Sequence, residues 1–313
     1  ADPKTGGPAA YSKDNVPYHP KHWTKVSMDG YKQGDFAMTI GYPGSTERYL
    51  SSYGIREMRD AENAPRAQIR GVKQDVMIKH MRADEVVRIK YDSKYAQSSN
   101  YWKNSLGMNK CIDSVGIIRQ KADFEDRIME YQKWTGYLKG KLDFDKMARL
   151  YQKRFDVDKE NTAWRESFQR TSEFNTRAIM LANMVEGNTK KTYTFSDNSA
   201  EWDEALDKDV QATLIDNFRQ YVPADRLPAF YKTIEQKFGG DSHKYVDWLY
   251  STSVLMKTGK KITLSDKALK NDPGYQYGKQ LLAVRAAQLP VFREVDDSIN
   301  EQEKYLCDAK VRY

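Results

Sequence analysis

The stretch Tyr91–Ser105, YDSKYAQSSNYWKNS, is the most unusual part of this sequence. It combines aromatic residues with many amides and hydroxyls, a mixture that a surface helix seldom carries. One interpretation is a helix packed inside a larger domain, with all its polar groups hydrogen-bonded. The other is a helix that lines a cleft, where asparagine oxygens accept hydrogen bonds from a ligand. Composition alone leaves both interpretations open.

The sequence on both sides of this stretch is typical of helices. From about Tyr49 onward proline becomes scarce, and good helix formers recur at helical spacing. The span Asp84–Tyr131 is expected to contain the longest helix. Apolar residues three and four positions apart predict one helix of about six turns from Trp164 to Val185. We expect about seven to nine helices in all.

Helix boundaries are also predicted. Gly239 and Gly240 can end one helix, and Asp241 can cap the next. Ser45 is interpreted as the cap of a helix starting near Glu47 rather than as a nucleophile. After Tyr49 we expect no strand longer than about four residues, and no sheet within residues 84–282.

The first 45 residues differ, because proline and glycine cluster there. Thr24–Met28 and Asp35–Ile40 are interpreted as short strands joined by a glycine-containing turn. Two strands do not form a stable unit alone. Because neither end of the chain carries a capping residue or a tail, we expect it to be a piece of a longer protein.

Composition excludes several classes of protein. The 313 residues are 39% hydrophobic and 30% charged, which is sufficient for a folded core and argues against general disorder. No apolar run approaches the roughly 20 residues of a membrane-spanning helix, and no signal-peptide pattern opens the chain. The net charge of +7 comes from basic and acidic residues that alternate, so a nucleic-acid groove is not indicated.

Known catalytic and metal-binding motifs are missing. There is no GxSxG, HExxH, Walker or GxGxxG pattern. His19 and His22 lie three residues apart with no third ligand nearby, which favours a surface loop over a metal pair. Cys111 and Cys307 fit no zinc or redox spacing and are either free thiols or one long-range disulfide.

Four stretches closely resemble the bacterial dipeptidyl-peptidase 7 and 11 family of serine exopeptidases. They are GYPGST at 41–46 followed by Arg48-Tyr49-Leu50, RGVKQD at 70–75, SKYAQSSNYWKNSLG at 93–107, and YSKDNVP at 11–17. Beyond them the similarity continues more weakly to the C-terminal end. The Asn-Tyr-Trp-Lys-Asn spelling is nearer the dipeptidyl-peptidase 11 branch.

The resemblance implies a chymotrypsin-like double β-barrel into which a multi-helix capping domain is inserted. Residues 1–48 would be the last strands of the first barrel. Residues 49–313 would be the mainly α-helical domain that caps the substrate, incomplete at its C-terminus. The catalytic His and Asp would then precede Ala1 and the nucleophilic Ser would follow Tyr313. No catalytic residue is therefore expected in this segment, which should be inactive alone.

The resemblance also implies a serine dipeptidyl peptidase that removes dipeptides from peptides with a free N-terminus. Asn100 matches the family residue that reaches the substrate near its N-terminus, and Asn104, one turn on, shares the face. A preference for Asp or Glu at the penultimate position follows from branch similarity. No metal or cofactor is implied.

The family further implies a homodimer in the periplasm or at the outer-membrane surface of a Gram-negative bacterium. Neither nucleic acid nor a membrane span is expected. The alternative function is a free-standing helical scaffold that binds peptide or nucleic acid through its aromatic helix. Nucleic-acid binding by such a scaffold would depend strongly on salt.

Overall fold

A computed structural model describes residues 1–10, 12–38, 41, 46–187, 191–197, 199–264 and 267–312. Contacts between Cα positions divide the chain into two units, Ala1–Thr46 and Glu47–Tyr313. Each unit is described by itself below. In the described part of the chain, no helix is long and apolar enough to cross a membrane.

The N-terminal unit contains no strand in its described residues. The predicted strand Thr24–Met28 is therefore wrong, and so is the described part of Asp35–Ile40, whose last two residues lie outside the described ranges. Aromatic side chains of this unit lie in solvent, with Trp23 71% and Tyr31 94% exposed. The physical reason is that an extended segment becomes a strand only when a neighbour pairs with its backbone.

The second unit is mainly helical, as predicted. A π-helical turn, Met58–Asn63, joins its first two helices, which are followed by eight more in the described residues. The helices are α1 Ser52–Glu57, α2 Ala64–Ala83, α3 Glu85–Val115, α4 Ile117–Thr135, α5 Phe144–Phe168, α6 Glu173–Glu186, α7 Glu204–Phe218, α8 Phe230–Phe238, α9 Ser242–Thr252 and α10 Pro273–Arg312.

Several predicted boundaries need correction. The ten α-helices of the described residues exceed the predicted seven to nine, and the longest of them is α10 with 40 residues, whereas α3 has 31. The first helix begins at Ser52 rather than near Glu47, because Ser51 accepts the free N–H of Gly54 at 3.1 Å. Ser45 lies outside the described residues.

The apolar stripe from Trp164 to Val185 belongs to two helices, not one. The α5 helix ends at Phe168, Arg170 has a left-handed φ of 57°, and Ser172 caps α6 by accepting from Asn175 N at 3.0 Å. Left-handed backbone cannot continue an α-helix. The stripe persists because both helices bury their apolar faces in the same core.

A small antiparallel sheet was not predicted. Strand β1, Thr192–Thr194, pairs with β2, Lys261–Thr263, so that Tyr193 is opposite Ile262. The expectation of no sheet within residues 84–282 is wrong. Both strands have three residues, within the predicted limit of four.

The helical unit has two apolar clusters. The larger surrounds Trp164, Phe168 and Phe174 and includes residues of α7 to α10. The smaller joins α4, α5 and the C-terminal half of α10 through Ile128, Met147 and other residues. The predicted boundary at Gly239 is confirmed: this glycine has a φ of 64°, and Asp241 accepts from Lys244 N at 3.1 Å.

Candidate functional site

The aromatic and amide-rich stretch lies in the middle of α3, which forms a helical hairpin with α2. Asp84 ends α2 and begins α3, since its Oδ1 accepts from Val86 N at 2.7 Å and from Val87 N at 3.4 Å. This cap satisfies two free N–H groups at the start of α3 and fixes the turn between the helices.

One line of α3 residues is buried and another is open to solvent. Tyr91, Ser98 and Ser105 are buried at intervals of seven residues. Asn100 and Asn104, the predicted substrate contacts, are both exposed. Neither amide has a hydrogen bond to any residue that the structure describes. Both are therefore available to a ligand from the same face of the helix.

Two arginines of α2 pair with one glutamate of α5, and one of these arginines also contacts α3. Glu166 forms ion pairs with Arg70 and Arg66, with N–O distances of 2.7 and 3.3 Å, and its side chain is only 10% exposed. The guanidinium of Arg70 lies 4.8 Å from the centre of the Tyr101 ring, next to Asn100. A stacked arginine contact is geometrically specific. This one joins α2 to α3 beside Asn100.

The RGVKQD and SKYAQSSNYWKNSLG stretches contact each other in this hairpin. A Cβ added to Gly71 would lie 3.4 Å from Trp102 Nε1, so this side chain packs closely on α2. Gln74 is buried and donates to Arg70 O at 3.0 Å. The resemblance points to both stretches, but the sequence does not predict that the first stretch packs against the second.

Lys73, on α2 between Gly71 and Gln74, has a pKa far from its ordinary value. Burial lowers its pKa to about 8, the positive charge of Arg70 adds to this effect, and Glu166 opposes it. No hydrogen bond or ion pair joins its ammonium to the described residues. Sequence reasoning missed Lys73, because its burial depends on helices that are distant in the chain.

The remaining candidates show no catalytic or metal-binding geometry. His19 and His22 are exposed, and no group of three potential metal ligands occurs among the described residues. His80 Nε2 lies 2.7 Å from Asp209 Oδ2, yet no described serine hydroxyl is hydrogen-bonded to a histidine. Cys111 and Cys307 are both free thiols, so they do not form the long-range disulfide that was the other alternative.

The family model of peptidase S46 matches residues 2–313. The chain therefore belongs to the peptidase S46 family. Similar proteins include dipeptidyl-peptidase 7 of Porphyromonas gingivalis, 36% identical over 90% of this chain and 41% of that protein. Dipeptidyl-peptidase 7 of Porphyromonas endodontalis is 38% identical over 98% of this chain and 38% of its own length. An Asp/Glu-specific dipeptidyl-peptidase of Capnocytophaga gingivalis is 30% identical over 99% of this chain and 46% of its own length.

A solved structure has the same fold. The crystal structure of Porphyromonas endodontalis DPP11 in complex with the dipeptide Arg-Glu matches with a TM-score of 0.70. Identity is 23%, and the match covers 97% of this chain and 46% of that one. The chain thus spans less than half the length of the relatives it matches. The resemblance predicted from four short stretches is confirmed over nearly the whole chain.

Proposed function

We propose that this chain is the helical, substrate-capping part of a serine-type dipeptidyl peptidase. The full-length protein would release dipeptides from the free N-terminus of peptides by acyl transfer. Family membership over residues 2–313, with dipeptidyl-peptidases as relatives, is the observation that carries this proposal. The same membership does not support the alternative, a free-standing binding scaffold.

In this proposal the helical unit is inserted into a chymotrypsin-like host domain, and residues 1–48 belong to the end of its first β-barrel. Support comes from the family match, which covers residues 2–313 and so includes both parts. The stretches at 11–17 and 41–46 that resemble the family lie in the N-terminal part.

Asn100 is proposed to bind the amino terminus of the substrate. A dipeptidyl peptidase measures two residues from a free α-amino group, which is mostly protonated near neutral pH and offers three donors. An asparagine oxygen is a suitable acceptor, and Asn100 is exposed on a helix whose Tyr101 ring stacks with Arg70 of α2. Asn104 lies one turn away and is the weaker candidate.

We propose an acidic preference at the penultimate residue, supported by similarity to Asp/Glu-specific enzymes. The dipeptidyl-peptidase 7 relatives, whose name specifies no residue, have a higher identity to this chain than the Asp/Glu-specific enzyme of Capnocytophaga gingivalis. A comparison of dipeptidyl substrates that end in Asp or Glu with substrates that end in an apolar residue tests the acidic preference. A homodimer, and a location in the periplasm or at the outer-membrane surface, are part of the proposal through the family resemblance alone.

The proposal is tested by comparing the purified 313-residue chain with the full-length protein on a chromogenic dipeptidyl substrate. Acyl transfer needs a nucleophile and a base within hydrogen-bond reach. We expect activity from the full-length protein only. Release of dipeptides by the 313-residue chain at a comparable rate, unchanged by further purification, would contradict the proposal that the catalytic residues lie outside this segment.

A further inference from the structure

An open cavity of about 690 Å³ lies at the start of the helical unit. Its walls come from the entry segment at residues 48–49, the first turns of α4 and the last turn of α10. We call it the basic pocket, because its lining includes four cationic side chains, Arg48, Lys121, Arg127 and Lys310. It is large enough for a small organic ligand.

Two of these cations are held by backbone carbonyls instead of carboxylates. Lys121 Nζ donates to Arg48 O at 2.9 Å and to Leu50 O at 2.6 Å. Lys310 Nζ donates to Tyr49 O at 3.0 Å. A carbonyl fixes the position of an ammonium without neutralising its charge. The pocket therefore has positive groups in fixed positions.

The positive charge is balanced only in part, by Glu125 and Glu303, which lie outside the lining and raise the pKa of both Lys121 and Lys310. Asp123 is the one carboxylate among the lining residues. Its Oδ2 lies 3.9 Å from Nε of Arg119, a residue that is not part of the lining. The buried Glu125 accepts both the N–H and the hydroxyl of Ser52, at 2.7 and 2.6 Å. Glu303, on α10, likewise accepts from the N–H and the hydroxyl of Ser51. No described carboxylate forms an ion pair with any of the four cations.

Two of the cations are destabilised where they lie. Burial lowers the pKa of Lys121 and of Lys310, and the charge of Lys121 lowers that of Lys310 further, whereas Glu125 and Glu303 oppose both shifts. An anion between them would relieve this repulsion. The lining also contains an aromatic side chain, Phe124. The centre of its ring lies 5.0 Å from the guanidinium of Arg127.

We propose that the basic pocket binds a small oxyanion, a carboxylate or a phosphate, attached to an apolar group that packs against Phe124. Arg127 and Arg48 would bind the anion directly, and Lys121 and Lys310 would supply a positive wall. The lining of the basic pocket does not include Asn100. It goes beyond the proposed function.

The test is calorimetric titration of the full-length protein with benzoate and, separately, with inorganic phosphate. We expect saturable binding of at least one probe, and which one binds identifies the oxyanion. Arg127→Gln should weaken binding about three- to tenfold, as expected for loss of one charged partner at a partly exposed site. Asp123→Asn should strengthen it, because it removes the negative charge from the lining.

Arg149→Gln is the matched control, since Arg149 is exposed on α5 and does not line the pocket. It should leave both affinities unchanged. The proposal is overturned if neither probe binds saturably, or if Arg127→Gln and Arg149→Gln have equal effects. Because the readout is binding and not peptide cleavage, a failure here leaves the proposed function intact.

Discussion

Asn100 is the residue that we propose contacts the amino terminus of the substrate. In the full-length protein, Asn100→Ala should lower kcat/KM for dipeptide release about ten- to a hundredfold. A hydrogen bond to a charged donor contributes roughly 1.5–3 kcal/mol, and each 1.36 kcal/mol corresponds to a factor of ten. Steady-state kinetics on a free dipeptidyl substrate measures the effect.

Asn104→Ala is the control for this experiment, because it removes an equally exposed amide one turn away. It should cost less than Asn100→Ala. Thermal unfolding of both variants should match the parent, since an exposed amide contributes little packing. Equal and negligible kinetic effects of the two changes would remove Asn100 from the substrate site.

Lys73 gives a prediction about stability and pH. Its pKa is about 8 in the folded chain, against an ordinary value of 10.5. Between these values the unfolded chain binds more protons, so stability rises with pH. Lys73→Met should therefore raise the free energy of unfolding at pH 7 by about 1–3 kcal/mol, with a gain that diminishes from pH 8 to 10.5.

Urea unfolding at a series of pH values measures this gain. Lys79→Met is the matched control, because Lys79 is exposed on the same helix and has no ion pair with the described residues. It should change stability by less than about 0.5 kcal/mol at any pH. A destabilised Lys73→Met variant at pH 7 would show that the ammonium has a favourable partner.

At the residue scale, short motifs predicted which positions matter but not how they are supported. Asn100 could be proposed as a substrate contact because it lies in a stretch that resembles the family, and this assignment stays a prediction. Glu166 could not, because the arginines that it binds lie about one hundred residues earlier in the chain and only the packing of α2 on α5 brings them together. The perturbed pKa of Lys73 depends on the same packing.

At the scale of elements, α6 and α10 approach each other closely at Gly278. A Cβ added to Gly278 would lie 2.2 Å from Ala178 O, and a backbone atom cannot move aside without shifting its helix. Gly278→Ala should therefore destabilise the protein by about 2 kcal/mol or more. Thermal or urea unfolding measures the change.

Gly107→Ala is the matched control, because a Cβ at Gly107, on the exposed face of α3, would meet no atom within 4 Å. There the intrinsic helix preference for alanine should stabilise the protein by about 0.5–1 kcal/mol. Opposite signs are expected for the same substitution in two helices. Stabilisation by both changes would mean that α6 and α10 pack less closely than described.

Helix ends were predictable where one residue determines them, as at Gly239 and Asp241. The break between α5 and α6 was not, because its apolar spacing continues across it while Arg170, a residue type that seldom adopts positive φ, takes the left-handed conformation. The pairing of β1 with β2 was missed for a different reason. Its strands have three residues each and lie almost seventy residues apart, too short and too distant for a local pattern.

At the scale of the whole molecule, the mainly helical class was predictable from composition and spacing after Tyr49. The N-terminal unit was not, because Thr24–Met28 has strand-forming residues but no pairing partner among the described residues. Local preference does not form a sheet without a neighbouring strand. The two units thus differ in how far the sequence nearby determines their structure.

The central claim is that this chain belongs to an enzyme that measures two residues from a free amino terminus. Incubation of the full-length protein with one peptide, with its N-terminus either free or acetylated, and mass spectrometry of the products tests it most directly. We expect successive dipeptides from the free peptide and no cleavage of the acetylated one, which lacks the ammonium. Cleavage of both peptides at similar rates, or products other than dipeptides, would contradict the claim.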